Sequence, residues 1–517
     1  MRQTLSSLLI FGWIWLSETL AQSTSSTPVP TGVAIQGDYT GPYRPRVHYS
    51  PPKGFMNDPN GLFKDNNGTW HMYYQYNPTD VVAGNQHWGH ATSPDLYHWT
   101  NQPIALFPPN STSGVFSGSA VLDPNNTSGF FPNTTEGVVA IYTLNTPTKQ
   151  TQELAYSFDG GYTFTPYSGN PVLDVNSNQF RDPKVIRYDD TWVMVIAFAS
   201  EYVIGIYTSS DLKEWSHASN ISHIDLLGIQ YECPNLVSLP ISNSSETGWV
   251  LTISVNPGAP LGGSITEYFA GEFNGTHFKP HDGATRLSNF AKDDYAGQFF
   301  YDQPISIGWA SNWGYTNTVP TASEGWRSAM TLPRKNSLVD TGIRGWEMVQ
   351  EIYDVSPILS QQLSFTQNLA NTSTEASFNN GLYFDMNITF PEKVTFSSYA
   401  SMNFTFSTNS TGESVKGGYI LAGSTPYTAW LDRGKTSGFD SPLFTDKFSV
   451  SQVSPAKRIT GVMDRSLFEV YVDDGAVVGT MDVYPTEPLT KFTISTGDLP
   501  EGAQITFSAW EIQDTWA

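Results

Sequence analysis

Three acidic residues stand beside unusual backbone. Asp58 lies in "KGFMNDPNGLF" (Lys53 to Phe63), Asp182 in "FRDPKV" (Phe180 to Val185) and Glu232 in "QYECPNL" (Gln230 to Leu236). Asp58 and Asp182 each precede a proline, which disfavours the helical region, so both are expected to be extended at strand ends. Taken singly, each is an ordinary turn, capping or solvated acid, and Asn, Asp, Pro and Gly around Asp58 read first as a turn. As a set they match the equipment of glycoside hydrolysis, in which one ionised carboxylate attacks the anomeric carbon and one protonated carboxyl releases the leaving oxygen. Such a pair needs environments that drive its two pKa values apart. Trp88, Phe116, Tyr231, Trp313 and Trp326 are the aromatics available to raise the acid and to stack on sugar faces.

The three acids are 124 and 50 residues apart (58 to 182, then 182 to 232), so only a fold that returns repeatedly to one point can gather them. A repeat in the turns suggests such a fold. "SPDLYHW" (Ser93 to Trp99) is echoed by "SSDLKEW" (Ser209 to Trp215), and more loosely by "YSFDGGYTF" (Tyr156 to Phe164) and "GEFNGTHF" (Gly271 to Phe278). Short β-type runs such as "TWHMYYQY", "GVVAIYTL", "TWVMVIAFA" and "GWVLTISV" lie between them. Repeats with several strands each are the mark of a β-propeller, and long periods fit blades with long loops. The reading is four or five blades over residues 46–345, whose central funnel would collect acids from successive blades. Residues 346–363 read as a short, helical connector, and residues 364–517, rich in Ser and Thr with alternating apolar positions, as a β-sandwich with a tight hairpin at Asp474-Gly475. The fold class expected is all-β, with the chemistry in the N-terminal part.

Composition removes several function classes. A net charge of −22 repels phosphates, so neither nucleic acid nor an anionic membrane is expected as a partner. A small neutral sugar is indifferent to that field, and a homo-oligomer is compatible with the sequence. Residues 1–21 read as a secretory signal, with Arg2, the apolar run Leu8 to Leu16 and a small-residue site at Ala21, followed by an extension over 22–45. Sequons at Asn67, Asn110, Asn126, Asn133, Asn220, Asn243, Asn274, Asn371, Asn387, Asn403 and Asn409 fit a secreted, extracellular glycoprotein. The single cysteine, Cys233, excludes an internal disulfide and reads as a small buried residue beside the acid. No metal or cofactor is expected. His87, His90 and His98 do not have zinc spacing, Thr134 stands where a calcium loop needs its bidentate Glu, and "FSGS" makes no nucleophile elbow.

"MNDPNG", "QYNP", "WGHATS", "FSGS", "FRDP", "YECP", "ASNWGY", "WRSAM" and "DRSLFEVYVDDG" occur in that order from about Tyr49 to the C-terminus. As an ordered set they resemble glycoside hydrolase family 32, the family of invertases and inulinases. The resemblance implies a five-bladed propeller followed by a β-sandwich, and a retaining double displacement at C2 of a fructofuranosyl unit. It implies Asp58 as nucleophile, Glu232 as acid/base and Asp182 as stabiliser of the oxocarbenium-like transition state. Asn57, Gln75, Trp88, Phe116, Ser117, Arg181 and Trp313 would line the fructose pocket. Phe55 stands where the family often has Trp, which would leave an aromatic wall. Sucrose is the expected substrate. A fructosyltransferase and an exo-inulinase or levanase would use the same residues, and a non-catalytic fructoside binder would not keep all three acids.

Overall fold

The computed structural model describes residues 29–224, 226–421 and 426–516, so the expected signal segment lies outside the described residues. The described chain is almost wholly β. Five sheets of four or five strands, antiparallel except where Trp326–Arg327 runs parallel to the start of Gly54–Lys64, follow one another up to Ile352, and two six-stranded sheets occupy the rest. That order is consistent with a propeller followed by a sandwich.

Each of the first five sheets begins with an inner strand: Gly54–Lys64, Gly114–Leu122, Phe180–Tyr188, Tyr231–Pro240 and Tyr295–Phe299. Each inner strand touches the next, and the fifth touches the first, which closes a ring. The turn repeat proves to be the link between third and fourth strands in the first four sheets. Its two best copies share their bonds: Leu96 and Leu212 N–H donate to Ser93 and Ser209 Oγ, and the Trp99 and Trp215 indoles donate to Leu96 and Leu212 carbonyls. Both leucines take positive φ, +74° and +66°. The fifth sheet lacks the motif, joining its last two strands through residues 341–345, and that hid one repeat from the sequence.

Burial patterns separate the two halves. Trp70–Asn77 and His87–Ser93 are buried at every position, because neighbouring sheets cover both faces. In the second half, Ser401–Ser407 and Lys491–Gly497 alternate buried with half-buried residues, as sandwich strands with one inner face do. Their inner faces meet around Phe384, Phe404, Phe406, Phe468 and Phe492.

Two expectations are corrected here. The segment read as a helical connector is strand, turn, strand: Trp346–Ile352 closes the fifth sheet, Ser356–Ile358 is one 3₁₀ turn, and Leu359–Thr366 enters the sandwich. Met348 and Gln350 bury alternately, a period of two that the apolar content of the segment masked. Nor is "KGFMNDPNGLF" a turn; from Gly54 it belongs to the eleven-residue strand Gly54–Lys64, which has two irregularities.

The halves are joined by buried charge. Arg433 of the sandwich donates to Asp293 Oδ2 at 2.7 Å, with both side chains fully buried, and its guanidinium lies 3.5 Å from the Phe444 ring centre. Arg334 bridges Asp294 at 2.6 Å and Glu469 of the sandwich at 3.3 Å. Asp293 and Asp294 immediately precede the fifth inner strand, so the sandwich fixes where that strand starts. Removing one member of a buried pair strands the other charge. Arg433→Met is therefore expected to cost ~3–5 kcal/mol of stability, read as a lowered denaturant midpoint; an unchanged midpoint would show that the interface does not depend on this pair.

Candidate active site

All five inner strands carry a β-bulge at the same level. Residues 57–58 face Gln75 alone, 116–117 face Thr143, 182–183 face Ile196, 233–234 face Ile253, and 296–297 face Gly308. A bulge opposes two residues to one, bends the strand and re-aims a side chain. Asp182, Cys233 and Ala296 take up the distortion at φ +66°, +46° and +50°. The expectation that Asp182 is extended is thus wrong: the bulge overrides the bias that the following proline imposes.

Immediately beyond the bulges, buried polar side chains tie the strands together. Gly118 N–H donates to Asn60 Oδ1 at 3.2 Å. Ser119 Oγ donates to the Pro183 carbonyl and accepts from Val185 N–H, both at 2.9 Å. Asn235 Nδ2 donates to the Gly297 carbonyl at 2.9 Å, and Gln298 Nε2 to that of Gly118 at 3.0 Å. Lys184, wholly buried, reaches from the third strand to the Phe299 carbonyl of the fifth, 2.5 Å away. These bonds satisfy backbone groups that the bulges leave out of the ladders.

Above them lies a pocket of about 140 Å³ lined by Asn57, Asp58, Gln75, Phe116, Ser117, Arg181, Asp182, Glu232 and Trp313, together with Ala83 and Gln86. The three carboxylates thus come together. Asp58 accepts from Ser117 Oγ at 2.6 Å, Asn57 Nδ2 at 3.1 Å and the Cys233 thiol at 3.5 Å. Asp182 Oδ2 accepts the Cys233 N–H at 3.0 Å. Glu232 is held at one oxygen by Arg181 Nη2, 3.0 Å away, and at the other by the Tyr295 hydroxyl at 2.6 Å.

Burial raises Asp58 above the ordinary carboxylate range and the Glu232 charge adds to the rise, against the pull of Ser117, Asn57 and Cys233. Asp182 is pushed up to about 7, first by burial and then by Glu232 and Asp58, although Arg181 and the Cys233 N–H oppose the shift. Burial works against the Arg181 charge, but Glu232 and Asp182 more than offset it and hold the guanidinium protonated. Cys233 is driven well up by burial and the adjacent acids, so its sulfur stays a thiol and a donor.

Not every named residue reaches the pocket. Trp88 is wholly buried; its indole N–H donates to the Phe116 carbonyl at 3.0 Å, supporting the wall from behind. Trp88 shares a face with its cross-strand partner Gln75, but Tyr73 and Tyr142 pack against its ring and hold it in the core below the pocket. Tyr231 and Trp326 are likewise core residues. Phe55 forms no wall either, lying buried behind Trp313 with ring centres 6.1 Å apart. The Cys233 thiol faces Asp58 and Asp182. Sequence reasoning missed Tyr295, Gln230 and Asn256, whose side chains bond to Glu232 or Arg181. Only the Asp293-Asp294 pair just before Tyr295 marked that strand as unusual.

The profile of the glycosyl hydrolases family 32 N-terminal domain matches residues 48–350, and that of the glycosyl hydrolases family 32 C terminal matches 355–511. Invertase 2 of Saccharomyces cerevisiae is 41% identical over 486 residues, covering 86% of this chain and 90% of that one. An extracellular exo-inulinase of Meyerozyma guilliermondii is 42% identical over 459 residues, covering 84% and 88%. The structure of a β-fructofuranosidase from Schwanniomyces occidentalis complexed with fructosyl-erythritol superposes with a TM-score of 0.84 at 36% identity, covering 93% of this chain and all of that one.

The raised Asp182 has a consequence for stability. Because the native carboxyl keeps its proton to about pH 7 while an ordinary one releases it near 3.8, its contribution is fully present below 3.8 and is lost as pH rises through 7. The melting temperature of Asp182→Asn minus that of the parent is therefore expected to climb between pH 4 and 7. A difference that stays constant over that range would contradict the shift.

Proposed function

The chain belongs to glycosyl hydrolase family 32, and from that premise we propose a retaining β-fructofuranosidase that cleaves terminal non-reducing β-D-fructofuranosyl units, sucrose first among its substrates. The observation that carries the mechanism is the convergence of Asp58, Asp182 and Glu232 on one pocket, each held by different donors.

In this reading Asp58 is the nucleophile. Its carboxylate attacks C2 of the fructosyl unit as the bond from C2 to the leaving oxygen breaks, and Glu232 gives that oxygen its proton. Water then attacks C2 of the fructosyl-enzyme, Glu232 takes the proton of the water, and the Asp58 carboxylate leaves. The donors on Asp58 fix its orientation toward the pocket, which a nucleophile needs more than raw basicity. Arg181 and Tyr295 place Glu232 and stabilise the charge it carries when it acts as base. Asp182, protonated across the acidic range, can donate to one ring hydroxyl and accept from another without passing a proton. Asn57, Gln75, Phe116, Ser117 and Trp313 would complete the fructose pocket, with Trp88 as its support.

We read the five sheets as five blades around this pocket, a reading that the closed ring of inner strands supports. The propeller would then span 46–352 and the sandwich 359–517, joined by 353–358 and preceded by a signal segment over 1–21 and an extension over 22–45. Secretion and glycosylation belong to the same reading and draw support from the extracellular exo-inulinase relative. That relative also makes inulin-type chains the second substrate to try.

Asp58→Ala and Glu232→Ala are each expected to lower turnover of sucrose by at least ~10³-fold with an unchanged fold; near-parental turnover in either would remove that residue from the mechanism. With the parent enzyme, equal amounts of glucose and fructose released from concentrated sucrose would identify water as acceptor, whereas excess glucose would show transfer to sugar. Ser117→Ala removes a donor that holds the Asp58 pKa down. The acidic limb of kcat/KM, already displaced above the ordinary carboxylate value, is expected to move further up in pH. The rate should fall ~10-fold or more, as loss of a hydrogen bond to a charged group implies. A limb that stays in place would separate Asp58 from the ionisation that the rate reports.

A further inference from the structure

A groove of about 660 Å³, larger than the carboxylate pocket, lies between the fourth and fifth sheets. Half-buried Trp249 and Trp346, buried Phe273 and Leu338, and exposed His281 form its apolar part. Trp249 meets Phe273 edge-on with ring centres 5.1 Å apart, and His281 stacks on Trp346 at 5.8 Å. Aromatic faces with polar groups nearby suit the C–H faces of a sugar, and the volume falls in the range of sites that take small ligands, about 300–1,000 Å³.

One lining residue is Asn274, in the sequon Asn274-Gly275-Thr276 at the tip of the hairpin between Ile265–Phe273 and Phe278–Pro280. Its Oδ1 accepts from Thr276 Oγ1 at 3.1 Å, Thr276 N–H at 3.1 Å and His277 N–H at 2.8 Å. Those bonds saturate the oxygen and fix the side chain. The amide nitrogen, the atom that a glycan occupies, makes no hydrogen bond among the described residues. The hairpin therefore presents an attachment point on the wall of an aromatic groove.

The geometry points to this groove as the seat of an N-linked glycan on Asn274, its first N-acetylglucosamine residues packed against Trp249, Trp346 and His281. The tether selects the occupant, because a sugar attached at the wall is present at an effective concentration that no free sugar matches. The assignment rests on the reading of the protein as secreted and glycosylated. A sugar in this position would cover the seam between two sheets and shield two tryptophans.

The test uses the full chain secreted from a yeast host, with glycopeptide mass spectrometry for occupancy and native digestion by endoglycosidase H for accessibility. The glycan at exposed Asn67 serves as the internal reference. Asn274 is expected to be occupied and to lose its glycan about tenfold more slowly than Asn67, the factor that one aromatic contact of ordinary strength supplies. Trp346→Ala should bring the two rates together while sucrose hydrolysis stays unchanged; if that variant is not secreted, His281→Ala provides the same reading. Equal release rates in the parent, with glycans present at both sites, would overturn the docked glycan yet leave secretion standing. Absence of glycan from Asn274 alone would also overturn it, and absence from every sequon would overturn both.

Discussion

The site depends on one backbone irregularity repeated five times. A regular inner strand would alternate its side chains between the faces of its own sheet, burying them against neighbouring sheets. The bulges at 57–58, 116–117, 182–183, 233–234 and 296–297 break that alternation at one level and turn side chains toward the common axis. Three of the five strands place a non-glycine residue in the left-handed region to do so, a cost of order 1–2 kcal/mol each. The backbone groups released from the ladders are recovered by Asn60, Ser119, Asn235 and Gln298, so the irregularity is locked by the same residues that tie strand to strand. Distortion and closure of the ring are thus one device.

Charge in the pocket follows from that closure. Three carboxylates and one arginine are gathered where water is largely excluded, and burial is the leading cause of the upward shifts at Asp58 and Asp182. The acids differ in their donors. Asp58 has a hydroxyl, an amide and a thiol, Asp182 a backbone N–H and the thiol, and Glu232 a guanidinium, a phenol and a distant amide. Chemically identical groups in one small volume can take different roles because their surroundings differ. Cys233 contributes to two of these environments while its high pKa keeps it from competing as a nucleophile.

The sandwich takes part at a distance. Its buried Arg433 and Glu469 grip Asp293 and Arg334, Arg334 in turn holds Asp294, and the residue after Asp294, Tyr295, bonds Glu232. At the opposite edge of the same region, the Gly475 carbonyl of the Asp474-Gly475 hairpin accepts the Gln350 N–H at 2.9 Å from the last strand of the fifth sheet. Among the described residues the second half of the chain lines no part of the pocket, yet it anchors the strand start that carries Tyr295, the partner of Glu232.

The sequence by itself determined the all-β class, the turn repeat, the order of the motifs and the choice of the three acids that the fold brings together. Each of these is written locally, in turn residues, alternation or short motifs such as "FRDP" and "YECP". Tertiary structure alone decided which neighbours of those motifs face the pocket. Trp88 and Phe55 read as wall residues but are core, because sheets covered on both faces bury both sets of side chains and leave no alternation to read. Tyr295 has only the neighbouring Asp293-Asp294 pair as a local mark and Asn256 has none, since their importance lies in contacts 63 and 24 residues away along the chain. The bulges are equally silent: an extra residue in a strand is defined only against its partner, and pairing between strands is a property of the folded chain.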